Sequence, residues 1–185
     1  EYGGQELDTL SYIIAVEELS RVDGSTAATI AADNSLGISP IKEYGTKEQK
    51  EKYLPRLCKT HLWGFGLTEE TAGCDSRGTK STARFNDGKW CLNGSKIFIT
   101  NSATAMTLGS TVQVVSGEKD GKPEFTTFLI ENDTPGFVQE PMNGKMMWRA
   151  SNTGRLTFDN VMVPKENMLG EQGQGSRIML ATLDG

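Results

Sequence analysis

The sequence predicts an α+β fold in which helices and strands are segregated along the chain. Three observations carry this expectation. From Leu7 to Cys58 apolar residues recur at helical spacing. From Trp63 to Val163 the period shifts towards two, and Asn-Asp, Asp-Gly and Asn-Gly turns punctuate it. From Ser176 to Leu183 the pattern returns to helix. Strands do not alternate with helices, which argues against a parallel βαβ sheet. The expected division is a helical region at 1–61, a β domain of barrel or sandwich type at 62–170, and the start of a further helical region at 171–185.

The helical region reads in order. Leu7, Leu10, Ile13, Ile14, Val16 and Leu19 mark one apolar stripe, with Asp8 or Thr9 as the cap. Val22-Asp23-Gly24-Ser25 breaks the helix, and Ser25 is expected to cap a second, Ala-rich helix over 26–34. Ser39-Pro40 opens a short helix, because proline suits a first turn. Gly45 ends it. Thr46 and Gln49 then fit a capping box, opening a helix that runs to about Cys58 with Pro55 near its end.

The β region divides into short strands at 63–67, 80–85, 90–92, 96–100, 108–116, 124–131, 137–140, 152–158 and 161–163. Asn86-Asp87-Gly88-Lys89 and Leu92-Asn93-Gly94-Ser95 both read as hairpin turns. Asp120-Gly121-Lys122-Pro123 reads as a longer exposed turn. Many short, turn-bounded strands are the mark of a barrel or sandwich.

The 185 residues carry a formal net charge of -5 and a pI near 5.0, which argues against a nucleic-acid surface. Lys47, Lys50, Lys52, Arg56 and Lys59 cluster, but Glu48 and Glu51 interleave them as on a solvated helix face. No apolar run approaches the about 20 residues that span a membrane. Cys58, Cys74 and Cys91 are odd in number and lack metal-type spacing, and His61 is the only histidine. No metal site is expected, and a reducing compartment is the simplest reading. The chain opens at Glu1-Tyr2-Gly3-Gly4 without methionine and stops within a predicted helix, as a fragment or excised domain does.

Two runs speak about chemistry. The first, Phe65-Gly66-Leu67-Thr68-Glu69-Glu70-Thr71-Ala72-Gly73-Cys74-Asp75, delivers hydroxyl, backbone and thiol groups at the mouth of a strand, where small-molecule sites lie. The second, Asn93-Gly94-Ser95-Lys96-Ile97-Phe98-Ile99-Thr100-Asn101, ends with an aromatic, a β-branched residue and a hydroxyl side by side.

These runs resemble the acyl-CoA dehydrogenase family. That family carries a Leu-Thr-Glu-Pro-x-Ala-Gly-Ser-Asp loop and an Asn-Gly-x-Lys-x-Trp-Ile-Thr-Asn strand, matched here at 67–75 and 93–101. It also carries a Pro-Gly-Phe turn, matched by Pro135-Gly136-Phe137, and a Val-x-Val-Pro-x-x-Asn-x-Leu-Gly segment, matched at 161–170. Four motifs in order are more specific than any one. The run from Glu17 to Arg21 and the ending Thr182-Leu183-Asp184-Gly185 look most like the short-chain, butyryl-type branch.

The resemblance implies a partial helical domain, a complete β-barrel middle domain and a truncated last helical domain. It implies FAD as cofactor and an acyl-CoA thioester as substrate, oxidised across the α,β bond in fatty acid metabolism with hydride transfer to flavin N5. The cofactor-binding residues it implies are Phe65, Gly66, Leu67, Thr68, Gly73, Cys74, Phe98, Ile99 and Thr100, with Cys74 also touching substrate. Thr68 and the 65–68 backbone would line the polar edge of the flavin, and Thr100 would lie near N5, where reduction adds charge and a proton. Phe98 stands for the family's tryptophan and keeps a stacking surface. Each of these residues has a plain alternative, since threonine and phenylalanine also suit ordinary strands.

Some positions depart from the family. Cys74 replaces serine and is a weaker donor. Glu70 replaces proline, which frees φ. Met147, Trp148 and Ala150 are bulkier than the small residues the family places there. Gly170-Glu171-Gln172-Gly173-Gln174-Gly175 resembles a dinucleotide loop but follows no βαβ strand. No catalytic residue is assigned, because the family's glutamate base lies in the last helical domain. The fragment itself is therefore expected to be inactive. The resemblance further implies an electron-transferring flavoprotein as acceptor, a homotetramer at full length, and a bacterial cytoplasm or mitochondrial matrix. Two rival readings keep the fold: an acyl-CoA oxidase or flavin monooxygenase relative using oxygen, and a non-catalytic binding module.

Overall fold

A computed structural model describes residues 1–184. Helices come first. Helix α1 (Thr9–Val22) is capped by Asp8, whose carboxylate accepts from the Ser11 amide at 2.7 Å. Helix α2 (Gly24–Ala32) is capped not by Ser25, as the sequence suggested, but by Asp23. Its carboxylate accepts from the amides of Ser25 and Thr26, both at 3.0 Å. An N-cap must be extended while its oxygen reaches back, and Asp23 sits at φ -151°, ψ 108° while also closing α1. Ser25 is instead buried.

A π-helical turn, Asp33–Ile38, runs directly into α3 (Ser39–Tyr44), whose first turn holds Pro40. Helix α4 (Lys47–Leu57) opens with the expected capping box of Thr46 and Gln49. Pro55 lies in its last turn. The final helix is α5 (Gly175–Asp184). No helix among the described residues is long and apolar enough to cross a membrane.

The strands are β1 (Leu62–Gly66), β2 (Thr82–Asn86), β3 (Lys89–Thr100), β4 (Thr107–Lys119), β5 (Lys122–Glu131), β6 (Phe137–Pro141), β7 (Thr153–Pro164) and β8 (Met168–Leu169). They form one sheet in the order β6-β7-β3-β2-β4-β5-β8, with β1 added parallel to β4. Among the described residues the hydrogen-bonded path stays open, so the expected barrel is not a closed one. The end strands of the path, β6 and β8, pair with β7 and β5 and not with each other. The sheet still curls round one interior. Val112, Val114, Phe128, Ile130, Leu92, Leu156 and Phe158 all meet in a single apolar cluster. Phe137 stacks on Phe158 at 5.2 Å between ring centres.

The outer face is covered by helices. Leu108, Leu129, Leu169 and Trp63 pack on Ile41, Tyr53, Leu54, Leu57 and Ile178. Strand β5 is therefore buried on both sides, which explains its unbroken apolar run Phe128-Leu129-Ile130.

Two expected strand pairs are single long strands. The segments at 90–92 and 96–100 belong to β3, and those at 152–158 and 161–163 to β7. The Asn93-Gly94 step thus lies within a strand, opposite a bulge in β7: pairing steps from Leu92–Val161 to Gly94–Phe158, which leaves the extra residue in β7. Gly94 takes φ +138°, and a Cβ there would lie 2.3 Å from Ser81 Oγ. Glycine lets the two backbones meet, and the Ser81 hydroxyl accepts from the Ser95 amide at 3.2 Å. The turn at Asp87-Gly88 is a hairpin as expected. The turn at Asp120-Gly121 is tighter than expected, with Lys119 paired to Lys122 and φ of 53° and 72° at its two central residues, as a type I′ turn requires.

Candidate functional site

A cleft of about 260 Å³ opens where β1, β3, the π-helical turn and α5 meet. It is lined by Ala32, Leu36, Trp63, Phe65, Leu67, Thr68, Gly73, Phe98, Ile99, Thr100 and Leu183. The two sequence runs therefore converge, although they lie on different strands. Phe65, Leu67, Thr68, Gly73, Phe98, Ile99 and Thr100 all line the cleft. Gly66 and Cys74 do not. Gly66 is buried in the sheet, where a Cβ would lie 2.8 Å from Val112 Cγ1. Cys74 is exposed one residue beyond the cleft wall.

Phe98 is presented in an unusual way. In an unbroken strand it would share a face with Lys96. Pairing instead steps from Lys96–Leu156 to Ile99–Gly154, which leaves an extra residue in β3. Phe98 takes φ +62° and its ring is 62% exposed over the cleft, while Ile97 and Ile99 are buried. Positive φ is a genuine outlier for an aromatic residue and marks a constrained site.

Beneath the cleft lies an ion pair that sequence reading missed. Lys96 Nζ donates to Glu69 Oε1 at 2.8 Å and to the Leu67 carbonyl at 3.2 Å. Glu69 also accepts from the amides of Lys80 at 2.7 Å and Ser81 at 3.1 Å. Burial pushes the Glu69 carboxyl up, but the Lys96 charge and the donors of Lys96, Lys80 and Ser81 outweigh it and hold the group below its ordinary value. Glu69 is thus committed to structure. Its neighbour Glu70 points outward and pairs with Arg155 at 2.6 Å. A lysine amid apolar strand residues was the one available signal for the buried pair.

Asp33 was also missed. It is buried behind the cleft and its Oδ1 accepts from the Trp63 amide at 2.9 Å. Burial raises its carboxyl to about 6, and the single amide donor only partly offsets this. Trp63 in turn donates through Nε1 to Thr111 Oγ1 at 2.8 Å. The π-helical turn and β1 are thereby tied together behind the cleft.

The remodelled segment lies apart. Met146, Met147 and Trp148 are exposed beside a second concavity of about 520 Å³, formed by 141–145 and 149–153. Arg149 Nε donates to the Lys145 carbonyl at 2.9 Å.

Among the described residues the cleft lining carries no carboxylate, histidine or cysteine. It offers apolar walls, two half-buried threonines and an exposed ring. Such a surface suits a flat aromatic ligand with a polar edge. It holds no group able to take a proton from carbon.

The sequence matches the family models described as acyl-CoA dehydrogenase, N-terminal domain, over residues 1–61, and acyl-CoA dehydrogenase, middle domain, over residues 64–161. The short-chain specific acyl-CoA dehydrogenase of Megasphaera elsdenii is 45% identical over 190 residues, which cover 100% of this chain and 49% of that protein. A chain in a structure described as electron transferring flavoprotein of Acidaminococcus fermentans superposes with TM-score 0.92 at 44% identity, over 100% of this chain and 48% of that one. Acyl-CoA dehydrogenase complexed with FAD from Bacillus anthracis superposes with TM-score 0.89 at 39% identity, over 99% of this chain and 31% of that one. The chain spans about half the length of the curated relatives it matches. Matched family models over most of its length, and a fold shared with these relatives at this identity, show that the chain belongs to the acyl-CoA dehydrogenase family.

Proposed function

We propose that the chain forms the flavin-holding wall of an FAD-dependent acyl-CoA dehydrogenase that acts on short-chain acyl-CoA thioesters. The observation that carries this is the cleft that gathers Thr68 from the loop after β1 and Phe98 and Thr100 from β3, under one exposed ring. The division into a helical part at 1–61, a β domain at 62–170 and a helical start at 171–185 goes with this reading. When bound, FAD supplies the two-electron acceptor for the substrate's β-hydrogen. The residues of this chain would hold and cover that group. Thr68 and the 65–68 backbone would hold the polar edge of the flavin. Thr100 would offer it a hydroxyl for hydrogen bonding. Phe98 would offer a stacking surface that excludes water. Gly73 permits close backbone approach, and the Cys74 amide reaches the pyrophosphate or the acyl-CoA chain.

A base for the α-proton has to come from outside the described lining, since Glu69 is spent on Lys96 and two backbone amides. Residues 1–185 alone are accordingly read as inactive. An electron-transferring flavoprotein is the proposed acceptor, in keeping with the Acidaminococcus neighbour. A homotetramer and a bacterial cytoplasmic or mitochondrial matrix setting complete the reading.

The test is the visible absorption spectrum of the purified full-length protein, followed by anaerobic titration with butyryl-CoA. A flavin band that bleaches on titration is the expected result. A flavin that is present but silent would remove the short-chain substrate. No flavin after FAD is added would remove the cofactor and leave a binding module. Re-oxidation by oxygen faster than by electron-transferring flavoprotein would favour an oxidase.

A further inference from the structure

We infer that Lys96 and Glu69 are positioning residues, and that their buried ion pair locks the Thr68 loop to the Phe98 bulge and so sets both walls of the cleft. The cofactor part of this inference rests on the FAD reading above; the mechanical part does not.

The pair lies where the sheet has no ladder to offer. Strand β1 ends at Gly66 and β2 begins at Thr82, both against β4, and the loop between them must be satisfied by side chains. The Leu67 carbonyl lies just past β1 and is taken by Lys96 Nζ. The amides of Lys80 and Ser81 lie just before β2 and are taken by Glu69. Between these points the loop is held by the reciprocal backbone bonds of Glu69 and Ala72, by a short turn at 75–79 tied to Gln113, and by the exposed Glu70–Arg155 pair. Lys96 is 0% and Glu69 7% exposed, so neither charge has water to turn to. Charges this deep persist only when fully paired, and removing one partner strands the other.

The same pair holds the second wall. Lys96 is the last β3 residue in register before the bulge, and Ile97 donates its amide to the Thr68 carbonyl at 2.9 Å. Phe98 follows at φ +62°. That conformation is unfavourable for phenylalanine and survives only when its neighbours are fixed on both sides. Lys96 fixes one side, and the buried Ile99 fixes the other. Loss of the pair therefore frees Thr68 and lets Phe98 relax together, because the Ile97–Thr68 bond couples them.

The experiment compares Lys96→Met, Glu69→Gln and the double variant Lys96→Met/Glu69→Gln with wild type in the full-length protein. The double variant removes both charges at similar volume, so it folds where a single variant fails. Three readouts are taken: amide hydrogen exchange in the apoprotein, FAD affinity by fluorescence quenching, and the visible circular dichroism of bound flavin at saturation. Exchange should quicken at 68–75 and 97–100 and stay unchanged in the centres of β4 and β5. The FAD dissociation constant should rise roughly 10–100-fold, as when the supports of binding groups are lost. The dichroism of the bound flavin should change even at saturating FAD, which a merely structural role would not cause. Wild-type exchange in both segments of the double variant would overturn the inference whatever the flavin does. Wild-type protein that fails to bind FAD overturns the cofactor reading, while quickened exchange in the two segments would still support the mechanical one.

Discussion

At the scale of single residues, the molecule places charge where water cannot reach it, and each instance has a pH signature. Asp33 shows the cost. Its carboxyl is raised from 3.8 to about 6 by burial. A raised carboxyl stabilises the fold fully only below its unfolded value, and that stabilisation is lost as pH rises through about 6. Above that the fold carries a buried charge at a cost of about 3 kcal/mol, at about 1.4 kcal/mol per unit. Asp33→Asn keeps an oxygen for the Trp63 amide and removes the charge. We expect it to melt several degrees above wild type at pH 8, with the gain fading towards pH 4. Thermal melts at both pH values check this, and an equal gain at both would mean a packing effect instead. Nothing near Asp33 in the sequence announces this burial. Its partner Trp63 is thirty residues away, whereas Asp8 reveals itself as a cap because its partner lies three residues on.

At the scale of elements, β3 carries most of the lesson. An Asn-Gly pair between apolar residues is the strongest short hairpin signal, and here it lies inside one strand, opposite a bulge in β7. The difference lies in what stands opposite: β7 runs on past the bulge, so β3 has a partner on both sides of Gly94. At φ +138°, with a Cβ that would meet Ser81 Oγ at 2.3 Å, Gly94 has no substitute. Gly94→Ala should lower the unfolding free energy by about 2–4 kcal/mol, combining strain with overpacking. Urea unfolding measures it, and a loss under about 0.5 kcal/mol would mean the bulge can slide. Elsewhere local signals suffice. The Thr46–Gln49 capping box and the Asp87-Gly88 hairpin need only residues within one turn of each other, and both are in place.

At the scale of the whole molecule, apolar surface is unevenly distributed. Helix α1 carries a helical stripe of Leu10, Ile13 and Ile14, continued by Leu7 just before its cap, yet none of its residues is buried. The stripe predicted the helix correctly without predicting burial, because amphipathic spacing reports a face and not its partner. Replacing Leu10 and Ile14 by serine in the 1–185 polypeptide should shift stability by no more than about 0.5 kcal/mol. It should reduce the binding of a hydrophobic dye. Dye fluorescence and thermal melting check this, and a large loss of stability would show that the stripe is covered. The sequence by itself determined the segregation of helices and strands, the Asp8 cap, the Thr46–Gln49 capping box, the Asp87-Gly88 hairpin, and the two runs that meet at the cleft. These depend on spacing, and spacing survives in the linear text. Only the tertiary structure decided that the curled sheet stays open, that Lys96 and Glu69 share a dry site, that Asp33 is buried, and that Phe98 is turned outward. Each of these is set by contact between segments far apart in sequence, where desolvation and register act and no local pattern records the outcome.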